Sequence, residues 1–133
     1  MSEGNYGKMR VLVLDDEEAI TKLVEVVLKR IGIGHVVCAQ DAQKAMAHFS
    51  GSTPPFDLVI CDVVMPGMDG MTFLKQVKAK HPKLSFIMLT SKTAQQDFDA
   101  AKNAGATYYF MKPFQTNMLQ TRIKAALDVL AKS

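Results

Sequence analysis

The stretch LVICDVVMPGMDG, residues 58–70, decides the fold. It begins with an apolar run from Leu58 to Cys61, which is typical of a strand buried on both faces of a parallel sheet. The run ends at Asp62, and the Pro-Gly pair at residues 66 and 67 cannot continue a strand. Open α/β sheets carry their ligands and their chemistry at the carboxyl ends of the strands. The stretch therefore predicts a central buried strand that presents Asp62 as its reactive residue.

The rest of the chain repeats the pattern of a short apolar run followed by an amphipathic helix. The predicted strands are residues 10–14, 35–38, 58–61, 84–89 and 107–111, and the predicted helices are residues 17–31, 41–49, 70–80, 93–104 and 115–130. Strands that alternate with helices predict a parallel sheet covered on both faces. We expect a doubly wound α/β fold with the flavodoxin-like strand order 2-1-3-4-5 and five helices.

Length and composition restrict the kind of protein. The chain has 133 residues, 48% of them hydrophobic and 22% charged, which suits one soluble globular domain. We expect a polar N-terminal arm over residues 1–8 and a single domain over residues 9–133. No apolar run approaches the roughly 20 residues that span a bilayer, so a cytoplasmic protein without membrane contact is expected. The net charge of +3, without a dense basic block, does not favour direct binding to nucleic acid.

Polar residues follow four of the predicted strands. Asp15 and Asp16 follow the first, Asp62 the third, Thr90 the fourth and Lys112 the fifth. In the order 2-1-3-4-5 these strands are neighbours, so their carboxyl ends lie on one rim. Three adjacent carboxylates repel one another by about 4 kcal/mol per pair at an effective dielectric near 20, and they need a counter-cation. Hard oxygen ligands favour Mg²⁺, and Lys112 would add a second positive charge on the opposite side.

These groups are suited to phosphoryl transfer. An aspartate can act as a nucleophile and form an acyl phosphate, which assigns the acceptor role to Asp62. Such transfers need neutralisation of charge more than covalent help. Mg²⁺ and Lys112 would neutralise the phosphoryl oxygens, and the Thr90 hydroxyl could donate a hydrogen bond to one of them.

The same residues resemble the motifs of a response-regulator receiver domain, the CheY-like module of two-component signalling. The resemblance covers residues 9–130 and consists of four motifs: Asp15-Asp16, Asp62 with MPGMDG at residues 65–70, Thr90-Ser91, and Lys112-Pro113-Phe114. It implies that a histidine kinase or a histidine phosphotransfer protein phosphorylates Asp62. It implies a phosphoacceptor signalling domain that assists its own phosphorylation and dephosphorylation, rather than an enzyme with a separate substrate.

The resemblance also implies a ligand set and a switch. Mg²⁺ would be held directly by Asp16 and Asp62, through water by Asp15, and by the backbone carbonyl of Val64. The peptide between Lys112 and Pro113 would be cis. Tyr109 occupies the position of the family's switch aromatic: if Thr90 moves toward the phosphoryl group, the Tyr109 ring can fill the space that it leaves. The affected surface would be formed by the fourth helix, the fifth strand and the last helix.

Other functions share this fold class. A flavodoxin-like electron carrier would hold the FMN phosphate in the first loop, where the four acids at residues 15–18 would repel it. An aspartyl-phosphate phosphatase would need a DxDxT pattern, which Asp62-Val63-Val64 does not supply. Two outputs remain open for a receiver: a lone regulator that controls a partner protein, or the receiver part of a longer protein with a linked effector domain. The protein would be a monomer or a phosphorylation-dependent dimer.

Overall fold

The chain, in a computed structural model that describes residues 6–65, 67–91, 95–112 and 115–131, forms one five-stranded sheet flanked by helices. In chain order the elements are β1 (Arg10–Leu14), α1 (Glu18–Ile31), β2 (His35–Ala39), α2 (Ala42–Met46), β3 (Leu58–Asp62), α3 (Gly70–Lys80), β4 (Ser85–Thr90), α4 (Gln95–Asn103), β5 (Tyr108–Met111) and α5 (Thr116–Ala131). A 3₁₀ turn over Ala47–Phe49 extends α2.

The strand order is β2-β1-β3-β4-β5, and every neighbouring pair is parallel. The predicted doubly wound fold is confirmed. The predicted second helix, residues 41–49, is α2 together with its 3₁₀ turn; Asp41 precedes it as the N-cap and accepts a hydrogen bond from the Lys44 amide at 2.7 Å. The first residues of the predicted fourth helix, 93 and 94, lie outside the described residues.

The central strand is buried along its whole length, as its apolar run predicted. Alternate side chains of β3 point to opposite faces of the sheet. Leu58 and Ile60 pack in the cluster that includes α1 and α5, whereas Val59 and Cys61 pack in the cluster that includes α2 and α3. Two hydrophobic layers therefore fix β3 from both sides and hold its carboxyl end in place.

A short turn before β1 also belongs to the packed structure. Tyr6 has no exposed surface, although it lies in the segment predicted to be a polar arm. Its hydroxyl donates a hydrogen bond to the Asp128 carboxylate on α5, and its carbonyl accepts hydrogen bonds from the Met9 and Gly34 amides. Residues 1–5 of the predicted arm lie outside the described residues. Among the described helices, none is long and apolar enough to cross a membrane.

Candidate functional site

The strand register brings the predicted site residues to one rim. Leu14 pairs with Cys61 across β1 and β3, so the residues that follow them, Asp15 and Asp62, are neighbours. Asp62 in turn pairs with Leu89 on β4, directly before Thr90. The amide of Lys112 donates a hydrogen bond of 2.6 Å to the Thr90 carbonyl, which joins the ends of β4 and β5.

Three carboxylates form the centre of this rim. Each of Asp15, Asp16 and Asp62 offers an oxygen, and these oxygens all lie within 4.8 Å of one another. Asp15 and Asp62 are buried, whereas Asp16 is exposed to solvent. The predicted convergence of the three acids is thus present in the structure.

Lys112 lies among the acids and pairs directly with both of the buried ones. Its Nζ atom is 2.8 Å from an Asp15 oxygen and 3.3 Å from an Asp62 oxygen, and its side chain is 13% exposed. A third carboxylate, that of Glu17, lies 3.7 Å from the same Nζ atom. Glu17 was not singled out from the sequence. The available signal was its position at the start of α1, where glutamate is a poor capping residue.

Burial and mutual repulsion change the proton affinities of these groups. Burial, followed by the charge of Asp15, raises the pKa of Asp62 to about 6, and the neighbouring Lys112 opposes that rise. Burial also raises the pKa of Asp15, against the hydrogen bond from Lys112. Burial alone would lower the pKa of Lys112, but its hydrogen bond to Asp15 and the charges of both acids raise it. Burial is thus the largest cause of the raised pKa of both acids, and their pairing with Lys112 offsets it only in part.

The start of α3 lies against the carboxyl end of β3. The Gly70 amide donates a 2.8 Å hydrogen bond to the Val63 carbonyl. A Cβ atom on Gly70 would lie 1.8 Å from the Asp62 carbonyl oxygen, so only glycine permits this approach. Asp69 caps α3 by accepting a hydrogen bond from the Thr72 amide. Val64 follows Asp62 by two residues in this loop, and its carbonyl remains a predicted metal ligand.

Thr90 and Tyr109 are connected to each other. Thr90 is buried at the end of β4, and its side chain is hydrogen-bonded to that of Tyr109. Burial raises the pKa of Tyr109, and this hydrogen bond opposes the rise. The Tyr109 ring also meets the Phe98 ring of α4 edge to face, with centroids 5.4 Å apart. A path of contacts thus leads from the strand-end rim to α4. The predicted cis peptide involves Pro113, which lies outside the described residues.

The donor set suits Mg²⁺. This cation takes hard oxygen ligands. Its positive charge would favour the ionised form of the neighbouring carboxylates. Asp15, Asp16 and Asp62 would hold the ion, with further positions filled by water, by the Val64 carbonyl or by phosphoryl oxygens. Bound there, Mg²⁺ would neutralise charge on a phosphoryl group.

Comparison with known families shows the class of protein to which this fold and site belong. The chain belongs to the response regulator receiver domain family, whose model matches residues 11–124. Members of this family are signalling switches rather than classical enzymes. The match decides against the alternatives of an electron carrier and a phosphatase.

Solved structures of the same class cover most of the chain. It is 31% identical to the chemotaxis protein CheY4 of Vibrio cholerae, with a TM-score of 0.77 over 88% of this chain and 97% of that one. A CheY-like receiver domain protein from Methanospirillum hungatei JF-1 is 30% identical, with a TM-score of 0.82 over 93% and 97%. The BeF₃-activated receiver domain of DrrB is 26% identical, with a TM-score of 0.79 over 90% and 97%. The chain covers only 52% of a longer structure of DrrB from Thermotoga maritima, an OmpR/PhoB homolog.

Proposed function

We propose that the chain is a phosphorylatable switch of a two-component system and that Asp62 accepts the phosphoryl group. The observation that carries the proposal is the Asp62 carboxylate itself: it is 5% exposed, lies at the end of the central strand, and is held 3.3 Å from the Lys112 ammonium. The donor would be the phosphohistidine of a histidine kinase or of a histidine phosphotransfer protein. An Asp62 oxygen would form a bond to phosphorus while the bond from phosphorus to the histidine nitrogen breaks, and the imidazole would keep the electron pair.

The neighbouring residues divide the work of neutralising charge. Lys112 can turn its ammonium from Asp62 toward a phosphoryl oxygen while it keeps the 2.8 Å contact with Asp15. Asp15 would thereby hold Lys112 in position. The Thr90 hydroxyl would donate a hydrogen bond to a second phosphoryl oxygen. The same groups, with Mg²⁺, would let the protein assist its own phosphorylation and dephosphorylation.

The output of the switch would pass through Thr90 and Tyr109. If Thr90 turns toward the phosphoryl group, its hydrogen bond to Tyr109 must change, and the contact between Tyr109 and Phe98 gives that change a route to α4. Phosphorylation would then shift an existing equilibrium between two arrangements of the surface formed by α4, β5 and α5. This surface would control a partner protein or a linked effector domain. We place the protein in the cytoplasm, as a monomer or a phosphorylation-dependent dimer, without membrane contact or direct contact with nucleic acid.

The acceptor role is tested by labelling with acetyl phosphate and Mg²⁺, followed by electrophoresis in a phosphate-retarding gel. The wild type should give a retarded band that disappears when Mg²⁺ is chelated, and Asp62→Asn should give none. Asp69→Asn is the matched control, because Asp69 lies in the same loop but caps α3 instead of joining the acid cluster. Equal labelling of the wild type and Asp62→Asn would refute the proposal.

The switch is tested by following backbone amide signals while beryllofluoride, a phosphoryl mimic, is added with Mg²⁺. Amides of α4 and β5 should shift together with those around Asp62. In Thr90→Ala the shifts around Asp62 should persist, whereas those of α4 should become smaller. Full shifts of α4 in Thr90→Ala would show that the signal does not pass through this hydroxyl.

A further inference from the structure

Glu17 occupies a helix position for which its side chain is poorly suited. It is the N-cap of α1, where serine, threonine, aspartate and asparagine are preferred because their short side chains reach the first free amides. Among the described residues, the Glu17 side chain accepts no hydrogen bond from the amides at the start of α1. Its carboxylate instead lies 3.7 Å from the Lys112 ammonium. The Glu17 carboxylate thus lies with the groups of the strand-end rim rather than with the first free amides of its own helix.

The ion pair between Glu17 and Lys112 is weak. The Glu17 side chain is 64% exposed, and ion pairs of that kind contribute little to stability. Its charge nevertheless acts on the acceptor. A Glu17 oxygen lies 3.7 Å, and an Asp62 oxygen 3.3 Å, from the same Lys112 Nζ atom. The two carboxylate oxygens are therefore closer to each other than the Debye length of about 8 Å at physiological ionic strength. Glu17 therefore adds negative potential, only partly screened by salt, close to the Asp62 oxygen that a phosphodonor must reach.

We propose that Glu17 selects among phosphodonors by charge, disfavouring small donors that carry more negative charge. The proposal rests on the proposed role of Asp62 as acceptor. With acetyl phosphate, an Asp62 oxygen would bond to phosphorus as the bond between phosphorus and the acetyl oxygen breaks, and acetate leaves with the electron pair. At neutral pH acetyl phosphate is a dianion, whereas phosphoramidate carries one net negative charge. Glu17 should slow the first donor more than the second.

The test compares Glu17→Gln with Glu18→Gln at saturating Mg²⁺ and low salt. Both changes remove one exposed charge from adjacent residues, but Glu18 pairs with Lys22 on the surface of α1, at 3.8 Å, and not with Lys112. Phosphorylation by acetyl phosphate should become about two- to fivefold faster in Glu17→Gln, with a smaller gain for phosphoramidate. The gain should shrink as salt is added, and Glu18→Gln should match the wild type.

A second readout needs no phosphodonor. Removing the Glu17 charge should weaken Mg²⁺ binding, measured by amide shifts during titration, about twofold at low salt relative to Glu18→Gln. A general structural disturbance would not produce weaker cation binding together with faster reaction of an anion. Equal rates in the two variants, or equal gains with the two donors, would overturn the role of Glu17. Neither result would affect the acceptor role of Asp62. Absence of labelling of the wild type by either donor would overturn the acceptor role of Asp62 as well.

Discussion

Replacing Asp62 with asparagine should make the metal-free protein more stable at pH 7. The carboxylate is buried beside Asp15, and its pKa is raised from the ordinary 3.8 to about 6. The charged form is therefore disfavoured in the folded state, even though Lys112 lies 3.3 Å away. Asparagine keeps the shape of the side chain and removes the charge, while Lys112 retains its 2.8 Å contact with Asp15.

The size of the effect follows from the raised pKa. The difference between 3.8 and about 6 corresponds to about 3 kcal/mol of unfolding free energy, an upper limit for the gain from removing the charge. Between these two pH values the folded state binds the proton of Asp62 more tightly than the unfolded state does. The stability due to this group is therefore lowest above pH 6 and rises as the pH falls toward 4.

Urea unfolding in the presence of a chelator measures both features. At pH 7, Asp62→Asn should exceed the wild type by up to about 3 kcal/mol, and the difference should shrink as the pH is lowered toward 4. Millimolar Mg²⁺ should stabilise the wild type more than the variant, because a ligand that binds only the folded state raises its stability. A variant less stable than the wild type at pH 7, or a difference that does not depend on pH, would show that the Asp62 charge does not destabilise the folded protein.

Two further substitutions test the packing of the site. Lys112→Gln leaves the buried Asp15 and Asp62 carboxylates without their cation. The free energy of unfolding of the metal-free protein, measured in urea at pH 7, should fall by about 3 kcal/mol. A loss that Mg²⁺ does not reduce would show that the unpaired carboxylates are not its cause. Gly70→Ala would place a methyl group 1.8 Å from the Asp62 carbonyl oxygen. The free energy of unfolding should therefore fall by about 3 kcal/mol in the same assay. An unchanged unfolding midpoint would show that α3 can move away from β3 without loss of stability.

Most of the sheet could be predicted because its pattern is local. The continuous apolar run of β3 predicted burial on both faces, and the alternation of strands and helices predicted a parallel sheet. The number of strands then favoured the order 2-1-3-4-5 between the two common doubly wound layouts. The order then predicted which strand ends meet, so the convergence of the acids, Thr90 and Lys112 followed from topology. The limits of α2 and the 3₁₀ turn that extends it were less predictable, since short helices depend on their tertiary contacts.

The sequence did not reveal contacts between residues that are far apart in the chain. It also did not distinguish between neighbouring residues that are chemically alike. Tyr6 stands alone in a polar segment, and its partner Asp128 is 122 positions away, so no periodic pattern marks it as buried. Lys112 was expected opposite the acids, whereas it pairs directly with both buried ones. Adjacent Asp15 and Asp16 are chemically alike, and only the structure shows which of them is buried.

The acceptor role of Asp62 requires a covalent bond between its carboxylate and the phosphoryl group, and that bond can be located chemically. The protein would be treated with acetyl phosphate and Mg²⁺, reduced with borohydride, digested and mapped by mass spectrometry. Borohydride converts a phosphorylated aspartate to homoserine, and we expect this product at position 62 alone. Homoserine at position 15 or 16, or no conversion in protein shown to be folded, would contradict it.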